Sequence, residues 1–453
     1  MPFFVRKKRG RRPLRSKPTK KSAKDDEISS GSELEEQAEP TPGLDGGESS
    51  GSEEETAQAK RKRLATAVLA QVRAQAAEEE AEDAEERVRG LLADRLAAAA
   101  GRLQRQIAQR LEEGEVSTEP TLKLHGHRRP PVALVISADG SKAASASKDG
   151  AIIKWCLESG RKLVTVKGRS PKTAKEEDPR QPSSGPHAGA VLALALSSDD
   201  KFLCSGGADR KIQLWDFADM KPLKAFAGHR GSITGLVFRR GEHQLFSVSA
   251  DRSAKIWSID DLGYVDTMFG HGDGVESVDA AGRERFISAG GRDRSIRIWK
   301  VAEESQLVFH PHKECTAVDC VRLINEEKFV SGADDGSISL WSVVKKKPLL
   351  VERNAHGGSE PWISAIAPLL NTDLLASGSS DGAIKLWKVA QDYKSLTLLA
   401  KLPVVGFVND LRWSSNGSCL LAAVGQEHRK GRWWRQSSAK NSLLLFRFPS
   451  LAS

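Results

Sequence analysis

His229, Ser247 and Asp251 are the three side-chain types of a nucleophilic triad: an imidazole to take a proton, a hydroxyl to lose it and a carboxylate to orient the ring. The set is not unique in the chain. An Asp stands six residues before each of Trp155, Trp215, Trp257, Trp299, Trp341 and Trp387, at Asp149, Asp209, Asp251, Asp293, Asp335 and Asp381. A Ser stands ten residues before the Trp at Ser145, Ser205, Ser247, Ser331 and Ser377, and a His 28 before it at His127, His187, His229 and His271. A catalytic triad is one constellation in one cleft, whereas a group repeated at a fixed period is a structural device. Hydrolysis is rejected for this set. The sequence shows no phosphate-binding glycine loop followed by Lys-Ser/Thr, no HExxH, no nucleophile elbow and no Cys/His cluster at metal-ligand spacing. The chain therefore reads as a non-enzyme, with no cofactor, metal or small-molecule substrate.

The remaining chemistry is cationic. VKGRSPKTAKEEDPRQPSSGP, from Val166 to Pro186, carries Lys167, Arg169, Lys172 and Lys175, with Arg161 and Lys162 just before it. VGQEHRKGRWWRQSSAK places Arg429, Lys430, Arg432 and Arg435 beside Trp433 and Trp434, and Arg292 stands in AGGRDR. Guanidinium groups bind phosphates and flat rings stack on unpaired bases, so cations mixed with indoles suit RNA. For the two tryptophans core packing is the stronger reading, and the arginines carry the hypothesis.

Charge is distributed unevenly. Residues 1–120 hold 22 Lys+Arg against 24 Asp+Glu, which leaves 47 against 36, a net +11, for residues 121–453. A basic surface attracts polyanions. The first 24 residues form a two-part basic tract, Arg6, Lys7, Lys8, Arg9, Arg11 and Arg12 followed by Lys17, Lys20 and Lys21, which reads as a nuclear localisation signal. From Asp25 to Glu55 there are twelve acids and no Lys or Arg; Ser30, Ser32, Ser50 and Ser52 each have a Glu three residues on, the pattern of acidophilic phosphorylation. Five scattered cysteines without a CxxC pair suit a reducing compartment, and the opening MPFFVRKKRG has no apolar secretory core. No membrane partner is expected.

These features divide the chain into a disordered basic-then-acidic tail at 1–59, a helical charged segment at 60–119 and a repeat domain at 120–450. In the second segment Leu92, Leu96, Leu103, Ile107 and Leu111 fall on one helical stripe, and Gly90 and Gly101 are expected to interrupt it. It lies against its own repeat domain or meets a partner. In the third, the Trp intervals of 60, 42, 42, 42 and 46 residues, the runs IQLW, AKIW, IRIW, ISLW and IKLW, and the Gly-His pairs resemble the WD-repeat family. The resemblance implies an all-β, seven-bladed β-propeller. It also implies that His229, Ser247, Asp251 and Trp257 form a hydrogen-bonded tetrad within a blade. Ala289 stands where the fourth Ser belongs, and His312 and His356 are off register, so blades four to six are expected to be held less uniformly. The stretch from Gly406 to Phe448 lacks the Asp-to-Trp signature, and Thr121 to Leu124 is available to complete it as a seventh blade.

The segments SGRKL, FRRGEHQL, EESQLVF, LINEEKFVSGADDGS, LLNTDLLASGS and VGQEHRKGRWWR, preceded by the basic tract, acidic tract and helical region in that order, resemble the U3 small nucleolar RNA-interacting WD-repeat family. The insert after Val166 and the segment HPHKECTAVDC depart from that pattern. The resemblance implies a nucleolar RNA-binding scaffold that recognises the box B/C region of U3 small nucleolar RNA together with a kink-turn-binding protein, within the small-subunit processome that matures pre-ribosomal RNA. The rival reading is a peptide-binding adaptor or ubiquitin-ligase substrate receptor. It expects Trp-Asp-x-Arg at a repeat end, whereas Trp215 and Asp216 are followed by Phe217 and Ala218.

Overall fold

The computed structural model describes residues 92, 95–97, 103–113, 117–169, 185–357, 362–431 and 433–451. The localisation cations from Arg6 to Lys21, Ser30, Ser32, Ser50 and Ser52, the basic-loop residues Lys172 and Lys175, Gly90, Gly101 and Arg432 lie outside the described residues.

Why the repeat makes strands is visible in its burial. In a run such as Ile212, Gln213, Leu214, Trp215, all four side chains are buried, two on each face of the sheet. A strand covered on both faces must be apolar almost throughout, and the covers are the neighbouring blades. Each blade is a four-stranded antiparallel sheet in sequence order: 131–166, 191–227, 233–269, 275–309, 318–352 and 365–403 for the first six. The first strands of successive blades adjoin one another, and that of the last blade, Phe407–Trp413, adjoins that of the first, Pro131–Ile136, so the ring closes.

The seventh blade is shared between the two ends of the repeat region. Its strands Phe407–Trp413, Cys419–Gly425 and Ser442–Arg447 are completed by Leu122–Leu124, which pairs antiparallel with the last of them, Leu122 opposite Leu445 and Leu124 opposite Leu443. Strand exchange at the seam removes the open edge that a ring would otherwise leave.

The repeated tryptophans bolt each blade to the one before it. Trp215 packs with Val135 and Ala144 of blade 1, Trp257 with Ile212 and Leu214 of blade 2, and Trp299 with Phe246 and Met268 of blade 3. Trp155 closes the circle against Leu421 and Leu443 of blade 7. Burial of that kind is worth about 3–5 kcal/mol per aromatic side chain when it is truncated.

The charged segment before the propeller meets blades 6 and 7. Leu103, Ala108 and Leu111 are buried, the last two in a core with Leu369, Leu374, Phe448 and Leu451. The helix is short, Ala108–Glu113, and the expected single helical stripe does not hold: residues 103–107 are not helical, and Leu96 is 72% exposed. The cause is capture by blade 6. The Arg105 amide donates to Asn371 O at 2.8 Å, and Asp373 Oδ1 accepts the amides of Ile107 at 2.8 Å and Ala108 at 3.0 Å, capping the helix start.

Candidate nucleic-acid interface

In blade 3 the Trp257 indole N–H donates to Ser247 Oγ at 2.8 Å, Ser247 Oγ lies 2.8 Å from His229 Nε2, and His229 Nδ1 lies 3.0 Å from Asp251 Oδ2. With the ring proton on Nδ1, every group is satisfied: indole to hydroxyl, hydroxyl to Nε2, Nδ1–H to carboxylate. Burial pushes the His229 pKa below its ordinary value, against the pull of Asp251. Burial alone would raise the Asp251 carboxyl, yet hydrogen bonds from Ser253, the Arg230 amide and His229 hold it well below the usual carboxylate range. The Ser hydroxyl is enclosed and doubly hydrogen-bonded, so it ties strands together and faces no substrate.

The same linkage recurs with variations. In blade 4 the serine is Ser288, which takes the Trp299 N–H at 2.7 Å and meets His271 Nε2 at 2.8 Å. Four residues separate Ser288 from Asp293 where three separate Ser247 from Asp251, so the turn is one residue longer and Ala289 is not a vacancy in the network. In blade 6, His356 reaches Asp381 at 2.8 Å and Ser377 at 2.7 Å from a longer connection, so it too is complete. Of the three blades expected to differ, blade 5 does, its His312 turning Nε2 to Asp335 at 2.7 Å with Nδ1 lacking a hydrogen-bond partner among the described residues; blade 1, which was not among them, also departs, with His127 Nδ1 4.0 Å from Asp149.

The tetrad defines the two ends of the ring. It joins the connection entering each blade to the turn between the blade's second and third strands, so those segments share one end, here the tetrad end. The turn between third and fourth strands lies at the other. Arg161 sits in such a turn of blade 1 and Lys162 opens the strand that follows it, with Lys162 Nζ 5.7 Å over the Trp155 ring. They are thereby separated from Lys167, Arg169, Arg292 and the 426–441 loop, which are at the tetrad end.

Within that loop the structure divides the sequence candidates. Arg429 donates to Asp319 O at 2.6 Å, and Lys430 Nζ lies against Asp319 Oδ1 and 3.2 Å from Glu276 Oε1. The Trp362 indole N–H also donates to Asp319, whose carboxyl is buried and pushed up by that burial against the opposing pull of Lys430 and Arg429. Trp362 stacks on His428 at 4.1 Å, and Lys148 Nζ donates to the His428 and Gly431 carbonyls. The loop is thus a strap fastened to blades 1, 4, 5 and 6. Arg429 and Lys430 are thus already engaged, by a backbone carbonyl and by buried and half-buried carboxylates. Trp434 packs edge-on against Phe407 at 4.8 Å, whereas Trp433 is 66% exposed and Arg435 stands in solvent beside Gln426.

The richer cationic surface was not singled out from sequence. Arg210, Arg252 and Arg294 follow the tetrad Asp of blades 2, 3 and 4, with φ of 66°, 69° and 52°. The equivalent residues of blades 1, 5 and 6 are Gly150, Gly336 and Gly382, at 81°, 77° and 86°. Glycine takes that left-handed conformation without strain; arginine takes it at a cost of roughly 1 kcal/mol. Three successive blades therefore place an exposed guanidinium where the backbone prefers none. Arg230 and Arg292 stand in the same arc, Arg292 being contributed by the lengthened blade 4 turn, and Arg128, Arg129 and Lys167 extend it over blade 1; all are exposed. The chemical signal for them was the Asp-Arg dipeptide, which marks a turn and an outward cation together.

The arrangement defines a WD-repeat propeller: the WD domain, G-beta repeat, matches residues 118–156, 182–216, 220–258, 263–300, 303–342 and 348–388. Human U3 small nucleolar RNA-interacting protein 2 is 46% identical over 403 residues, covering 86% of this chain and 82% of the human protein, and the mouse protein is 47% identical over 405 residues with the same coverage. A solved structure of U3-55K superposes with a TM-score of 0.69 at 45% identity, covering 74% of this chain and all of that one. The chain belongs to the U3 small nucleolar RNA-interacting protein 2 family of WD-repeat proteins. Among the described residues no helix is long and apolar enough to cross a membrane, and no group of three or more His, Cys, Asp or Glu is placed to hold a metal.

Proposed function

We propose that this protein is a non-catalytic RNA-binding scaffold of the U3 small nucleolar ribonucleoprotein, that it recognises the box B/C region of U3 RNA beside a kink-turn-binding protein, and that it acts in pre-ribosomal RNA processing in the nucleolus. The observation that carries the RNA reading is the arc Arg210, Arg230, Arg252, Arg292 and Arg294 on three adjoining blades at the tetrad end. Guanidiniums without ion pairs among the described residues neutralise phosphates at little desolvation cost, and their spread over several blades suits a folded RNA read by shape and backbone. Trp433 and Arg435 lie on the strap at the same end and supply a ring for an unpaired base. The names of the human and mouse relatives, U3 small nucleolar RNA-interacting protein 2, support U3 RNA as the RNA bound.

The assignment is tested by crosslinking the full-length protein to nuclear RNA and sequencing what is attached. U3 fragments clustered around box B/C support it; recovery of no U3 RNA overturns it.

A further inference from the structure

The end of the ring opposite the tetrads opens into a funnel of about 440 Å³, lined by Ile136, Val237, Arg240, Arg412, Trp413 and Ser415 among others. Arg240 and Arg412 also line the adjoining cavity that reaches Arg322. Arg322 and Arg412 recur around a deeper cavity beneath Arg429, so they form the waist of the channel. Two like charges face each other there: after burial, the Arg412 charge is what most lowers the Arg322 pKa.

Their nearest carboxylates are occupied elsewhere. Asp410 accepts the Leu134 amide at 2.9 Å and the Leu411 amide at 3.0 Å, and lies 3.9 Å from Arg322 Nη2 and 3.7 Å from Arg412 Nε, beyond hydrogen-bond reach. Asp279 accepts the Leu323 amide at 2.7 Å, and Asp200, across the rim, accepts the Ala138 amide with both oxygens. The Nε–H groups of Arg322 and Arg412 are enclosed and have no hydrogen-bond partner among the described residues, while Arg322 Nη1 donates to Ser277 Oγ and to the Val278 and Val321 carbonyls. An anion placed between the two guanidiniums offsets their repulsion and adds to the counter-charge that Asp410 supplies from 3.7–3.9 Å.

We propose that this funnel binds a carboxylate side chain of an extended acidic peptide from a protein partner, held by Arg240, Arg322 and Arg412. The walls favour peptide over nucleic acid. Trp413 is fixed in the wall, its ring tilted against Phe448 at 5.3 Å and its indole N–H donating to Ala367 O, and among the described residues no second aromatic ring lines the adjoining cavity beside it to sandwich a base. Apolar side chains from blades 1, 3 and 6 instead suit alkyl groups flanking an acid. The site stands at the other end of the ring from the arginine arc and does not depend on the RNA reading.

The test uses the full-length protein and a fluorescein-labelled peptide of alternating Glu and Leu, with inorganic phosphate alone and a single-stranded oligouridine as parallel probes. Arg240→Gln sits on the exposed rim, outside the core, and Arg412→Gln reports on the waist. Each is expected to weaken peptide binding about tenfold, while Arg210→Gly leaves it unchanged. Peptide binding indifferent to Arg240→Gln, competition showing an adventitious ion only, or an oligouridine that takes the site in place of the peptide would each overturn the proposal.

Discussion

Ser288 accepts the Trp299 indole N–H at 2.7 Å from eleven residues away, where the other complete blades place that serine ten residues before its tryptophan. The strand register explains it: Ser288 lies opposite Arg297 just as Ser247 lies opposite Lys255, each two residues before the Trp. The extra residue is absorbed by the turn, which is also how Arg292 reaches the surface. Replacing Ser288 by Ala strands a buried indole N–H and a histidine nitrogen, and is expected to lower stability by about 1–3 kcal/mol in a denaturant titration. Ala289→Ser does not rescue it, because position 289 faces Ile296 in the next register pair.

Acid is expected to destabilise the ring in two steps of the same sign. Burial lowers the His127 pKa to about 4, against the pull of Asp149, and lowers that of His229 as well. For His127, between the unfolded value near 6.5 and about 4 the unfolded chain binds a proton that the native ring does not, so stability falls with falling pH by about 1.4 kcal/mol per unit, and His229 adds a fall of the same sign. Asp293 is held at about 2 despite burial, chiefly by His271. Its contribution is intact above the unfolded carboxyl value near 3.9 and is lost as pH falls from there towards about 2. Thermal melts from pH 7 to pH 3 should show a continuous decline beginning below pH 6.5; a plateau down to pH 4 contradicts the buried neutral histidines.

The strap is held by one buried acid. Lys430→Ala leaves Asp319 with an uncompensated burial cost, and a loss of about 2–3 kcal/mol is expected, below the full value for a buried pair because Lys430 is partly exposed. Tryptophan emission should change with it, since Trp362 donates to the same carboxylate and Trp433 lies 6.2 Å from Trp362. The salt dependence of RNA binding should not change, which separates a structural lysine from a phosphate ligand.

Arg252→Gly is expected to part stability from binding. Glycine relieves the left-handed backbone at φ 69°, so the variant should be neutral to about 1 kcal/mol more stable, while RNA affinity falls. Loss of both would mean that the Arg252 side chain braces the fold.

The ring was legible from sequence because its signal is repeated. A Trp recurring at intervals of 42 to 60 residues, with Asp six before it, reports a packing unit that each neighbour needs, and even the unmarked seventh blade followed from the strand left over at Leu122–Leu124. The candidate binding surface was legible only in part. Arg429 and Lys430 looked like ligands because sequence shows a cation beside an aromatic and cannot show Asp319, more than a hundred residues away, buried beneath them. Arg210, Arg252 and Arg294 were hidden for the converse reason: in sequence an Asp-Arg turn looks like punctuation, and only closure of the ring sets three such turns side by side. The capture of residues 103–107 by blade 6 was hidden because helical periodicity also describes an extended segment with the same apolar residues.

The most direct test is the salt dependence of U3 box B/C RNA binding by the native protein and by the triple variant Arg210→Gly, Arg252→Gly, Arg294→Gly. If the arc meets the phosphates, affinity falls and the slope of log K against log salt flattens by roughly 0.7–0.9 for each phosphate no longer neutralised, or about 2–3 in all. A variant that folds normally and keeps both the native slope and the native affinity contradicts an RNA interface on this face.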